Sequence, residues 1–335
     1  MLTEYLEKSR PLRNYFNNGL ATHLPMLLIC IDHLGGNEAD FQGAYDFYER
    51  TLEPFPKSEL TIEGHNWKEY LGQSEIEGSY LMFFQGELQA KGMEATLREY
   101  LPFFIKGVVG GAFHPMIQLF YAYRYAGEHE VAAALAGWAI FYAPLFESQK
   151  SGGRSFLDTV SQLRNCDELQ AFNPGGPLIQ IRAEKVAAHS RFQQILSEMD
   201  VSIDELDGIL EALCYIFVDF QNFSLLHGIT SCEAFMGLVD LFEDPDEALY
   251  YYCQALLAVY VTTGMPQIKH SKVPERDFQW NRAYAAALES ADEHTIKLVG
   301  TAKRLNEAKP DKLFEEVAFI ISSGECRFQF RYKGA

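Results

Sequence analysis

The sequence predicts an all-α protein, a single multi-helix domain spanning 1–335 with its candidate ligands converging on a central cavity. Three observations carry this. Apolar residues recur at three- and four-residue steps nearly throughout, which is the helical period. Convincing strand-like alternation is confined to Cys326–Tyr332 (CRFQFRY), a short strand or a docked tail. No period of 20–50 residues repeats, so a solenoid is not expected.

The helices can be placed in order. Segment 38–52 puts Phe41, Ala44, Tyr45, Tyr48 and Leu52 on one face. The run Val131–Phe146 is Ala- and Gly-rich, contains Pro144 and is shorter than the roughly 18–20 residues of a membrane span, so it predicts a packed helix. Segment 203–226 follows the capping residues Ser202 and Asp204 and runs apolar up to His227. Segment 245–263 opens on Pro245-Asp246-Glu247, which suits a first helical turn, and ends near Gly264-Met265-Pro266. Segment 276–307 reads as two helices broken around Ser290-Ala291-Asp292. Two irregular regions, 53–66 and 148–178, are rich in Pro and Gly and suit lids or cavity walls. A domain boundary near 165 is the alternative, but candidate ligands lie on both sides of it.

Composition narrows the function. With 46 Asp and Glu against 28 Lys and Arg, the net charge of −18 opposes binding to nucleic acid or an anionic membrane. The acidic N-terminus lacks the apolar core of a secretory signal, and the six cysteines include no C-x-x-C pair. Together these predict a cytoplasmic protein with reduced, buried thiols. Aromatic residues make up 14% of the chain, enough for a large core and for an aromatic-walled cavity.

Four histidines stand in apolar surroundings, three of them near helix-interrupting residues: His23 before Leu24-Pro25, His114 after Gly110-Gly111 and before Pro115, and His227 before Gly228; His294 stands on the first turn of an expected helix. Singly, each suits a hydrogen-bonded core residue as well as a ligand. Four neutral imidazoles would suit Fe, Zn, Cu or Ni. Lys297 lies three residues after His294 on the same helical face; a surface lysine or a partner of Glu293 is the other reading. Thr230 and Gln118, each about one turn after a histidine, are candidate contacts for substrate or dioxygen. Asp219 and Gln221 suit either cavity lining or a buried pair. His33 is too far along its helix to share an ion with His23, and His65, His129, His189 and His270 read as surface residues.

The segments His23-Leu24-Pro25-Met26, Gly111-Ala112-Phe113-His114-Pro115-Met116-Ile117, His227-Gly228-Ile229-Thr230 and Asp292-Glu293-His294-Thr295-Ile296-Lys297, in that order, resemble the four histidine blocks of the questin oxidase-like family. The chain departs from that pattern at Thr22 and Gln118, where the family often carries Asn and another polar residue. The resemblance implies an oxygenase of aromatic polyketides with Baeyer–Villiger-like or ring-cleaving chemistry. It implies a non-haem Fe(II) held by His23, His114, His227 and His294, with Lys297, carboxylated, as an added ligand and dioxygen as co-substrate. A metal-independent oxidase using NADPH and a non-catalytic helical scaffold are the alternatives. The expected partner is an apolar, aromatic small molecule.

Overall fold

The computed structural model describes residues 1–17, 19–57, 60–147, 151–324 and 326. Among them are seventeen α-helices, six short 3-10 turns and a single hairpin, Tyr15–Phe16 against Leu20–Ala21. The all-α expectation holds. The hairpin has strands too short to leave an alternating signature, and it turns through Asn17 and Gly19 at positive φ. Beyond Cys326, the alternating C-terminal stretch lies outside the described residues.

Several elements follow from local chemistry. Helix Glu38–Thr51 starts on a capping box, in which the Asn37 side chain accepts from the backbone and Asp40 accepts from the Asn37 N–H. Its apolar face buries Phe41, Ala44 and Tyr48. Helix Glu128–Phe141 is buried on nearly every side, between helix Glu77–Lys91 and helix His114–Tyr125, which is why its sequence is apolar all round. Helix Pro245–Thr262 and the break at Ala291, between helices Trp280–Ser290 and Glu293–Ala308, lie where the sequence puts them. No helix among the described residues is long and apolar enough to cross a membrane. All six cysteines are buried.

Two expectations need correction. Segment 203–226 is not one helix. Leu206–Phe220 ends at Gln221 with φ 45°, and a new helix, Phe223–Leu238, begins because Asn222 Oδ1 accepts the N–H groups of Ser224 and Leu225. Asp219 consequently lies on the exposed side of the last turn, away from any cavity. Region 148–178 is not wholly irregular either. Ser155 caps helix Phe156–Arg164, whose Phe156, Val160 and Leu163 share a buried face, and a short helix, Asp167–Gln170, follows. The glycines and prolines flanking these helices hid a pattern only two turns long.

Aromatic rings mostly fill the core. Trp67, Phe84, Tyr100, Phe104 and Trp138 stack and cross at centroid distances of 5.2–6.0 Å.

Four helices position the histidines: Leu24–His33, His114–Tyr125, Phe223–Leu238 and Glu293–Ala308. They close a ring. The first packs on the second, the second on the third, the third on the fourth, and the fourth on the first. In each, the histidine sits at or near the N-terminal end.

A polar layer ties the same four helices together farther along. Arg304 grips Glu233 with two hydrogen bonds of 2.6 and 2.9 Å and also donates to the Tyr121 hydroxyl, 2.5 Å away. Thr301 donates to Glu233 at 2.6 Å, and the Cys30 thiol lies 3.3 Å from the Tyr121 hydroxyl. Each helix of the ring thus contributes at least one member.

Candidate metal centre

Each histidine is delivered by a distinct local device. His23 is the N-cap of its helix, with Pro25 fixing the first turn. His114 opens its helix directly after Gly111, Ala112 and Phe113, which all adopt left-handed φ values of 55°, 56° and 67°. His227 lies one turn past the Asn222 cap. His294 follows Asp292, whose carboxylate accepts the Thr295 N–H at 2.7 Å. Six non-glycine residues have positive φ among the described residues, and four of them, Ala112, Phe113, Gln221 and Ala291, lie just ahead of a histidine helix. Backbone strain is therefore concentrated at the entrances to this site, the pattern expected where position outweighs local comfort.

The four imidazoles meet. Ring centroids lie 4.2 Å apart for His23 and His114, 4.8 Å for His23 and His294, 4.9 Å for His114 and His227, and 5.4 Å for His227 and His294. One ring nitrogen from each of His23, His114 and His294 falls within 4.8 Å of the others, a spacing that suits a shared ion. His227 completes the ring of imidazoles but stands outside that tight triad.

Tautomers follow from the partners. His114 Nδ1 lies 2.6 Å from the Gly111 carbonyl and His227 Nδ1 lies 2.9 Å from the Phe223 carbonyl. A carbonyl only accepts, so both Nδ1 atoms carry hydrogen and both Nε2 atoms keep a free lone pair. His23 Nδ1 is in ion-pair contact with the carboxylate of Glu293, an arrangement that suits hydrogen on Nδ1 and an inward lone pair on Nε2. His23 Nε2 then lies 2.5 Å from His114 Nε2. Two lone pairs at that distance repel unless an electron-poor centre sits against both. The donor set therefore fits a cation: buried, neutral, nitrogen-rich and inward-facing.

Electrostatics agree on the neutral state. Burial, reinforced by the Lys297 charge, holds His23 and His294 well below the ordinary histidine value, and His227 is lowered to about 3. For His114, burial acts first, with His23 and Lys297 adding to it. Four helix N-termini aim at this space, each equivalent to roughly half a positive charge, and they too disfavour imidazolium.

Lys297 is only 1% exposed and forms no ion pair among the described residues, so it is not a surface lysine. Burial lowers it to about 8, while Glu293, Cys30 and Asp292 pull it up. Its charge lowers all four histidines, so the buried amine lies within electrostatic reach of the cage. Its folded value lies below the unfolded 10.5, so between the two the unfolded chain holds the extra proton and stability rises with pH. In chelator-treated protein, urea melts should show a gain of up to about 3 kcal/mol between pH 8 and 10.5. Lys297→Met should lack that gain, and an equal slope in both proteins would refute the placement.

The other candidates stand apart. Gln118 donates to Asn14 Oδ1 at 2.9 Å and lines a small cavity with Asn14, Thr22 and His129. The Thr230 hydroxyl lies 3.4 Å from the backbone carbonyls of both Leu226 and His227 in its own helix. His33 packs on Tyr125, outside the cage. His129 and His189 are half-buried, not surface residues, and His189 caps helix Ser190–Ser197.

Sequence reasoning missed three residues. Glu293 touches His23 Nδ1, receives the Tyr48 hydroxyl and lies 3.8 Å from His294 Nδ1. Burial raises its carboxyl group, opposed by Lys297 and Tyr48. Phe223 lies 4.8 Å from both His227 and His294 and forms an apolar wall. Glu293 adjoins a candidate ligand in sequence, which was a usable signal. Tyr48 left none, because its contact spans 245 residues.

Oxidoreductase AflY of Aspergillus parasiticus is 28% identical over 133 residues, covering 35% of this chain and 26% of that protein, so the match spans about a quarter of the relative's length. The family model described as Questin oxidase-like matches residues 20–302, a stretch that contains all four histidines, Glu293 and Lys297. The chain belongs to the questin oxidase-like family.

Proposed function

We propose that this protein is an oxidoreductase, a non-haem metal-dependent oxygenase that acts with dioxygen on an apolar, aromatic small molecule. The observation that carries the reading is the inward-facing pair of lone pairs on His23 and His114, 2.5 Å apart in a buried cage that His294 and His227 complete. Family membership and the oxidoreductase relative support the redox class.

In this reading His23, His114, His294 and His227 hold the ion, with Fe(II) the preferred metal. When bound, iron supplies the one-electron chemistry that dioxygen requires and that amino-acid side chains lack. The protein does the rest. The carbonyls of Gly111 and Phe223 fix the His114 and His227 tautomers, and burial keeps all four rings neutral. The lowered basicity of Lys297 leaves part of it as the free amine, whose nitrogen can add to carbon dioxide and lose a proton. The resulting carbamate would present an anionic oxygen and offset cationic charge. Phe223 offers an apolar face for an aromatic substrate, with Thr230 and Gln118 at the periphery.

Elemental analysis of protein purified without chelators tests the reading. About one iron per chain is expected, and His114→Ala should lose it while keeping its far-ultraviolet helical signal, because ligation here is separate from core packing. Metal-free wild-type protein with full activity on reduced nicotinamide would overturn the proposal in favour of an NADPH-using oxidase.

A further inference from the structure

The Tyr48 hydroxyl, the Glu293 carboxylate and the His23 imidazole form a chain of contacts from helix Glu38–Thr51 into the cage. Tyr48 is buried and donates to Glu293 Oε2, while Glu293 Oε1 faces His23 Nδ1. We infer that Glu293 is the positioning residue for His23 and the resident counter-charge of the cage, and that Tyr48 holds Glu293 in place. The inference rests on the metal reading above and adds residues to it.

Three arguments support it. His23 is an N-cap, outside the hydrogen-bonded part of its helix, and its Nδ1 has no backbone carbonyl partner of the kind that fixes His114 and His227. The carboxylate does for His23 what main-chain oxygens do for the other two. It keeps hydrogen on Nδ1, turns the Nε2 lone pair inward and raises ligand basicity. Second, the cage carries four neutral rings, and the Glu293 carboxylate is in ion-pair contact with His23 and lies 3.8 Å from His294 Nδ1. A divalent ion placed there needs a negative group nearby. Third, the carboxylate is held from both sides. Asp292 caps the helix so that Glu293 occupies its first turn, and Tyr48 reaches it from a helix that packs on the His23 helix.

The test uses Co(II), whose visible absorption reports ligand geometry, loaded into full-length protein and titrated against a competing chelator. Glu293→Ala should weaken Co(II) binding about 10- to 100-fold and alter the band shape, with thermal unfolding recorded alongside to show that the fold persists. Glu293→Gln can still accept from His23 Nδ1 but has no charge. It should restore the band shape while leaving affinity about tenfold weak. Tyr48→Phe should weaken binding by a smaller factor. Wild-type affinity and spectrum in both Glu293→Ala and Tyr48→Phe would overturn the inference and leave the metal centre standing. A wild-type chain that takes up no Co(II) would overturn both.

Discussion

Gly110→Ala is expected to unfold the protein or to lower its stability by roughly 4 kcal/mol or more, the range reserved for changes that collide with fixed structure. A Cβ at residue 110 would stand 1.7 Å from the Phe141 carbonyl oxygen and 2.7 Å from its carbon. The obstacle is backbone, at the end of a helix buried on nearly every side, so no rotamer change relieves it. The adjoining residues are the left-handed run that presents His114. On the proposed metal reading, whatever folded protein survives should lose metal along with stability. Gly86 is the control. It lies in helix Glu77–Lys91, a Cβ there meets nothing within 4 Å, and Gly86→Ala should be neutral or stabilising by up to about 1 kcal/mol. Urea midpoints for the two variants decide the matter, and a Gly110→Ala protein as stable as wild type would show the approach of these two segments to be wrong.

The second large effect is expected at Arg304. Its guanidinium is bound on two nitrogens by Glu233 and on one by Tyr121, with Glu233 itself 7% exposed. Arg304→Met leaves a buried carboxylate without its cation, which is expected to reduce stability by about 3–5 kcal/mol. The double change Arg304→Met with Glu233→Leu removes both charges and should recover much of that loss, because the penalty comes from the abandoned charge and not from the missing attraction. Chemical denaturation of the two variants measures the difference. Equal instability in both would mean that packing of the arginine stem, not its charge, holds the layer.

The helical fold was legible because periodicity and caps are local. Pro245-Asp246-Glu247 opens a helix where the sequence places one, and the chain breaks at Ala291 as its surroundings predict. The break at Gln221 was hidden because apolar residues continue across it; only the capping role of Asn222 marks it. The cage was legible for a different reason: four histidine segments in order resemble the family's blocks, whereas proline or glycine near His23, His114 and His227 would by itself leave each ring a core residue. Glu293, Tyr48 and the Arg304 layer were not legible in the same way. Tyr48 obeys the helical period of its segment and reads as core, which it also is. Cys30 and Tyr121 look like ordinary interior residues until four helices are brought side by side. Their roles arise from contacts 91 and 183 residues apart, and periodicity carries no information about such pairs.

The offset between the two polar layers has a mechanical consequence. Cys30, Tyr121 and Thr301 each follow a cage histidine by seven positions, which at 1.5 Å per residue is a lever of about 10 Å. A rod pivoting at that cross-tie moves its free end by half an ångström for a tilt of about three degrees, far less than the scatter tolerated in helix crossing angles. Small rigid tilts of these helices therefore change the spacing of the imidazoles without unwinding a turn.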